Sequence, residues 1–115
     1  MNKRMLLMSV AALLLAGCKK IPPPTPLSEL NPEQAAGHAV FQSRCGVCHA
    51  DRDNSMMAGP ALNGIFKKEY LPSGAAATDE RVLATVMRGR GMMPQIGPTM
   101  TPEQIEQLMA YLHTL

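Results

Sequence analysis

The run Cys45-Gly46-Val47-Cys48-His49 constrains this chain more than any other part of it. On a helical turn Cys45, Cys48 and His49 stand at i, i+3 and i+4, so two thiols and an imidazole share one face. Such a face can bind a metal, close a disulfide, run a thiol–disulfide couple, or hold a group that offers two attachment points and a central metal. A thioredoxin-like couple belongs at a helix start in βαβ surroundings, and the sequence has no alternating strand pattern of useful length. A closed zinc site takes four ligands. Beyond the motif only His38 and His113 remain, neither at a finger-like spacing. A structural disulfide is what the two thiols alone would allow.

The remaining composition favours a large inserted group. Phe41, Phe66, Tyr70 and Tyr111 are the aromatic residues, there is no Trp, and 10 prolines and 9 glycines imply long non-repetitive stretches. A domain of this size buries a limited core and usually needs a staple. One haem satisfies both observations. Cys45 and Cys48 can bond the two vinyl groups along one haem edge, which brings His49 beneath the iron, the pattern of c-type haem attachment.

The first residues are not part of that domain. Lys3 and Arg4 precede an apolar run from Met5 to Ala16, then Gly17 and Cys18, the layout of a bacterial export signal. The run is short of the roughly 20 residues that a spanning helix needs. Leu15-Ala16-Gly17-Cys18 resembles the lipobox of bacterial lipoproteins. That resemblance implies a signal peptide over 1–17, lipidation of Cys18 and attachment to a bacterial membrane on its periplasmic or extracytoplasmic side. Residues 18–31 then form a lipidated N-terminus and tether, stiffened by Pro22, Pro23, Pro24 and Pro26. Without Lys3 and Arg4 the 11 basic residues fall to 9, against 9 acidic ones. A formally neutral chain lacks the basic stripe of a nucleic-acid binder, so nucleic acid is excluded as a partner.

Three helices are expected over 32–115. Asn31-Pro32-Glu33-Gln34 and Thr101-Pro102-Glu103-Gln104 each offer an N-cap, a proline at the first helical position and a glutamine able to close a capping box. Ile105, Leu108, Met109 and Leu112 make a buried stripe. Thr78 can cap a helix carrying Val82, Leu83, Val86 and Met87, with Gly89 at its C-cap. The domain is predicted to be all-α, with long loops wrapped around one haem.

An iron held by one imidazole needs a sixth ligand or an open position. Met93 is the best placed, because Pro94 drives it into an extended conformation away from the preceding helix. Met92 is the near rival. Met56, Met57 and Met100 have the reach, whereas Met87 and Met109 fall in apolar helical stripes. His38 reads as helix surface and His113 as a residue suited to a helix C-terminus.

The stretch from about residue 32 to 115 resembles a class I monohaem cytochrome c. The resemblance rests on Cys45-Gly46-Val47-Cys48-His49, Gly59-Pro60-Ala61-Leu62, Gly91-Met92-Met93-Pro94 and an amphipathic C-terminal helix carrying Tyr111. It implies thioethers at Cys45 and Cys48, and iron ligation by His49 and Met93. It also implies a Pro60 carbonyl bonded to the His49 ring, Leu62 against the haem, and Gly37 with Phe41 meeting the last helix near Tyr111. The chain departs from the pattern between Gly64 and Thr78, where many relatives place a tryptophan near a haem propionate. Tyr70, Arg88 and Arg90 are the candidates to replace it.

The function implied is electron transfer by one covalent haem c, in a monomeric carrier that meets a redox donor and acceptor and is not an enzyme. His/Met ligation closes the iron and raises its potential. A relay subunit of a larger redox complex, and a gas-binding sensor or enzyme with an open iron, are the other readings.

Overall fold

A computed structural model of the protein describes Gly17 and residues 20–115; the signal peptide expected over 1–17, all but its last residue, and the expected lipidation site Cys18 lie outside the described residues. The architecture is all-helical, with α1 over Pro32–Arg44, α2 over Asp79–Arg88 and α3 over Pro102–Leu112. The local signals in the sequence set where these helices begin. Asn31 accepts from the Gln34 amide at 2.8 Å while the Gln34 side chain accepts from the Asn31 amide at 3.0 Å. Thr101 and Gln104 repeat the exchange at 3.2 and 3.0 Å, and Thr78 accepts from the Arg81 amide. Each cap satisfies backbone donors that a first helical turn leaves bare, worth about 1 kcal/mol apiece. Gly89 ends α2 with φ +72°.

The core is the seam between α1 and α3. Phe41, Leu108, Tyr111 and Leu115 are the most deeply buried large side chains, each worth ~1.5–3 kcal/mol of apolar burial. Gly37 makes the seam possible. A Cβ at this position would overlap the Gln107 carbonyl and lie 2.8 Å from Tyr111 Cβ, so the α1 backbone rests directly on α3. The tilted Phe41–Tyr111 pair, with ring centroids 5.8 Å apart, continues the contact. At the far end of α3, His113 stacks on Phe66 at 3.9 Å and bonds to Asp79 at 2.8 Å, tying the C-terminus to the start of α2.

The proline-rich segment follows the surface of the domain. Thr25 lies between Pro24 and Pro26, which have no N–H, and both of its backbone groups are bonded: its amide donates to Thr114 O at 2.8 Å, and its carbonyl accepts from Arg52 Nη2 at 2.6 Å. Lys67 Nζ reaches the Pro23 carbonyl at 3.3 Å.

Candidate functional site

The two thiols and the imidazole come together because α1 ends where the motif begins. The amides of Cys45 and Gly46 both donate to Phe41 O at 2.8 Å, and those of Cys48 and His49 both donate to Cys45 O at 3.0 Å. The chain thus keeps turning past Arg44, and Cys45, Cys48 and His49 all line one cavity of ≈ 710 Å³. The opposite segment is drawn in by backbone bonds from Gly59 N to Cys48 O (2.7 Å) and from Leu62 N to Ala50 O (2.8 Å). Gly59 has no side chain to spare here, since a Cβ would lie 2.7 Å from His49 Nδ1.

His49 Nδ1 is 2.7 Å from Pro60 O. A carbonyl only accepts, so Nδ1 carries the hydrogen and the lone pair of Nε2 is left for a metal. The cavity walls are mostly apolar side chains, among them Leu62, Ile65, Val82, Val86, Leu108 and Leu112, and the volume falls in the range of cofactor sites, about 300–1,000 Å³. Burial pushes the Cys45 thiol up to about 11. Such a thiol is protonated and a weak nucleophile near neutral pH, unlike the activated thiol of a thiol–disulfide couple. Among the described residues no group of three or more His, Cys, Asp or Glu side chains could hold a metal ion. Two thiols, one oriented imidazole and a large apolar slot fit a covalently held haem.

The methionines separate by position. Met93 is half-buried on the cavity wall. It closes a two-way bonded turn with Arg90, Arg90 N to Met93 O at 3.0 Å and Met93 N to Arg90 O at 2.9 Å. Gly91 takes φ +56° at the first central position, and no other residue type in the described chain has positive φ, the sign pattern of a type II′ turn. Met92 is the tip of that turn and is fully exposed, although it touches the cavity rim. Met56 and Met57 are exposed and do not line the cavity, and Met100 is buried in the core.

The sequence reading did not foresee the cluster behind His49. Tyr111 Oη donates to Asp51 Oδ2 at 2.6 Å, and Gln42 Nε2 reaches the same oxygen at 3.4 Å. Burial first, and then the Asp51 carboxylate, push the Tyr111 phenol up from its ordinary value. His38, expected on open helix surface, instead packs its ring 5.0 Å from Tyr111. A carboxylate two residues from an apolar slot needs a partner, but nothing local in the sequence names a residue 60 positions away. Of the propionate candidates, Arg90 lines the cavity, whereas Tyr70 and Arg88 do not; Arg44 lines it as well.

The model of a protein family described as "Cytochrome C oxidase, cbb3-type, subunit III" matches residues 32–112. Among curated relatives, the chain is 30% identical over 112 residues to the cytochrome c6 of Thermosynechococcus vestitus, covering 97% of this chain and 91% of that one. It is 32% identical over 83 residues to the cytochrome c6 of a Picosynechococcus species, covering 70% and 71%. To the cytochrome c6 of Leptolyngbya boryana it is 32% identical over 82 residues, covering 70% and 89%. No solved structure is a significant match.

Proposed function

Since the chain belongs to the cytochrome c family, as a class I monohaem member with one covalent haem c, we propose that His49 and Met93 are its two axial ligands and that Cys18 anchors it to a membrane. Haem-based electron transfer between redox partners, not catalysis, is what the chain does. The haem supplies the one-electron couple; the protein's own residues hold and shield it. Cys45 and Cys48 would fix one edge through thioethers. The Pro60 carbonyl keeps the His49 proton on Nδ1, so Nε2 would face the iron in a constant orientation. Met93, held by its turn with Arg90, would close the other side and raise the potential. The apolar walls, Leu62 among them, exclude water from the slot.

The observation that carries this reading is the placement of Met93 and His49 on the walls of one apolar cavity, with Met92 turned out at full exposure. The test is the optical spectrum of the ferrous, haem-matured protein with and without carbon monoxide. The wild type is expected to stay unchanged and Met93→Ala to show a clear carbon monoxide shift. A shift in the wild type would mean an open iron, and the sensor or enzyme reading would take over.

The proposed anchor rests on the export-signal pattern of 1–17 and the lipobox-like sequence ending at Cys18. Residues 18–31 would link the lipid to the domain at 32–115, outside the cytoplasm. Mass spectrometry of the membrane-extracted protein should find acyl chains on Cys18, and a Cys18→Ser variant should leave the membrane fraction. A second reading is favoured by the family description as an oxidase subunit: a haem relay fixed in a larger complex. Mild detergent extraction separates the two, since a free carrier leaves alone and a subunit leaves with its partners.

A further inference from the structure

From Cys18 onward the chain has four lysines, in two adjacent pairs, Lys19-Lys20 and Lys67-Lys68. Of these, Lys20, Lys67 and Lys68 belong to the described residues, and all three are exposed. The fold brings the second pair to the start of the proline segment. Lys67 Nζ donates to Pro22 O at 3.5 Å and to Pro23 O at 3.3 Å. A Cβ at Gly64 would lie 2.7 Å from Ile21 Cγ2 and 3.8 Å from Lys68 Cε, so Ile21 and the Lys68 stem rest over the same bare glycine. Lys20 immediately precedes Ile21. Carbonyl oxygens carry no net charge, so the two proline contacts hold the Lys67 ammonium in place without neutralising it, and its third hydrogen stays free. The ion pairs found among the described residues involve His38 and His113. Glu69, the neighbouring acid in sequence, pairs with none of these lysines.

Unpaired ammonium groups at this place have a definite reach. Lys20 is two residues from Cys18 and Pro22 is four, so at full extension they stand at most about 7 and 14 Å from it. Exposed charges act over about 8–10 Å in physiological salt. A lipid on Cys18 would therefore hold these lysines close to the headgroups around it. We propose that Lys20, Lys67 and Lys68 form a surface that rests on anionic phospholipid headgroups. Lysine, a compact charge on a flexible stem, suits a mobile field of phosphates, whereas the planar fork of arginine suits one fixed group. Each lysine near such a surface strengthens binding about fivefold. The proposal rests on the membrane anchor for its place in the cell and goes beyond it: the lipid fixes one point of the chain, and the lysines fix which side of the domain faces the bilayer.

The test uses the Cys18→Ser holoprotein, matured so that its chain begins at position 18. It carries no acyl group, which separates this surface from the anchor. Its amide NMR spectrum is followed while vesicles of phosphatidylglycerol and phosphatidylcholine, with a spin label on the headgroup, are added at low salt. The amides of Ile21, Gly64, Lys67 and Lys68 should broaden first, and added salt should reverse the broadening. Vesicles of phosphatidylcholine alone should leave them sharp. Lys68→Gln should weaken binding about fivefold, and Lys67→Gln with Lys68→Gln about 25-fold. Because Lys67→Gln also releases Pro22 and Pro23, Lys67→Arg with Lys68→Arg serves as the control, and it should bind like the parent chain. No binding to the anionic vesicles, equal binding to neutral ones, or binding untouched by the glutamine variants overturns the proposal. A footprint centred on other residues overturns it as well, and leaves the lysines to a soluble acidic partner. Failure of lipidation would be read in the mass of the wild-type chain, independently of this spectrum.

Discussion

One hydrogen bond at His49 and another at Tyr111 set how the motif is held. The first, to Pro60 O, selects the tautomer; the second, from Tyr111 to Asp51, clamps the chain two residues past the imidazole onto α3. Replacing Tyr111 by Phe keeps the ring contacts with Phe41 and removes only the hydroxyl. Asp51 would then keep the longer contacts from Gln42 at 3.4 Å and His38 at 4.0 Å, at an expected cost of about 1–3 kcal/mol. The same bond has a pH signature. The folded chain holds the Tyr111 proton more tightly than the unfolded chain, whose tyrosine releases it near pH 10. The clamp's contribution is complete below about pH 10 and falls as pH rises beyond it. Urea unfolding of the holoprotein across pH 8–11 checks both statements: Tyr111→Phe should be less stable at pH 8 and should lose stability less steeply at the alkaline end.

Among the elements, two glycines govern the packing that shapes the slot. Gly37→Ala drives a methyl group into the Gln107 carbonyl, and overpacking of this kind costs about 1–3 kcal/mol or more. Its melting temperature should fall well below that of the wild type. Gly89→Ala acts closer to the haem. It places an L-residue at φ +72° and ψ 177°, a region essentially reserved to glycine and worth about 1–3 kcal/mol of strain, with its Cβ against the Met93 carbonyl and 2.9 Å from Pro94 C. On the proposed ligation this loosens the Met93 turn, and carbon monoxide should bind a fraction of the ferrous variant. Much of this level was legible beforehand. The capping boxes at Asn31 and Thr101, the Thr78 cap, the Gly89 stop and the Gly37–Tyr111 approach all follow from local spacing or from the family pattern. The Tyr111–Asp51 bond and the Arg52–Thr25 bond did not. They join residues far apart in sequence, and single polar residues carry no periodic signal of where the fold will bring them. The turn at Gly91 lies between. Its glycine marked a loop and Pro94 favoured Met93 over Met92; the paired bonds of Arg90 and Met93 add that Met92 is the exposed tip of the turn.

For the molecule as a whole, the proline segment was expected to act as an extended spacer, and its middle instead rests on the domain through Thr25, Arg52 and Thr114. Hydrogen exchange provides the check: the Thr25 amide should be protected like a core amide in the wild type and should exchange markedly faster in Arg52→Gln. If the proposed lipid sits on Cys18, few residues separate it from the docked stretch starting near Pro22, a reach of about 10–15 Å at full extension. A fully free segment would allow about 40 Å. The difference changes what the carrier can search. A domain on a long leash sweeps a hemisphere and presents its haem edge in every direction. One held this close glides in the plane of the bilayer with few of its faces ever turned outward, so it can trade electrons only with proteins whose docking sites stand at that height and look back at that face.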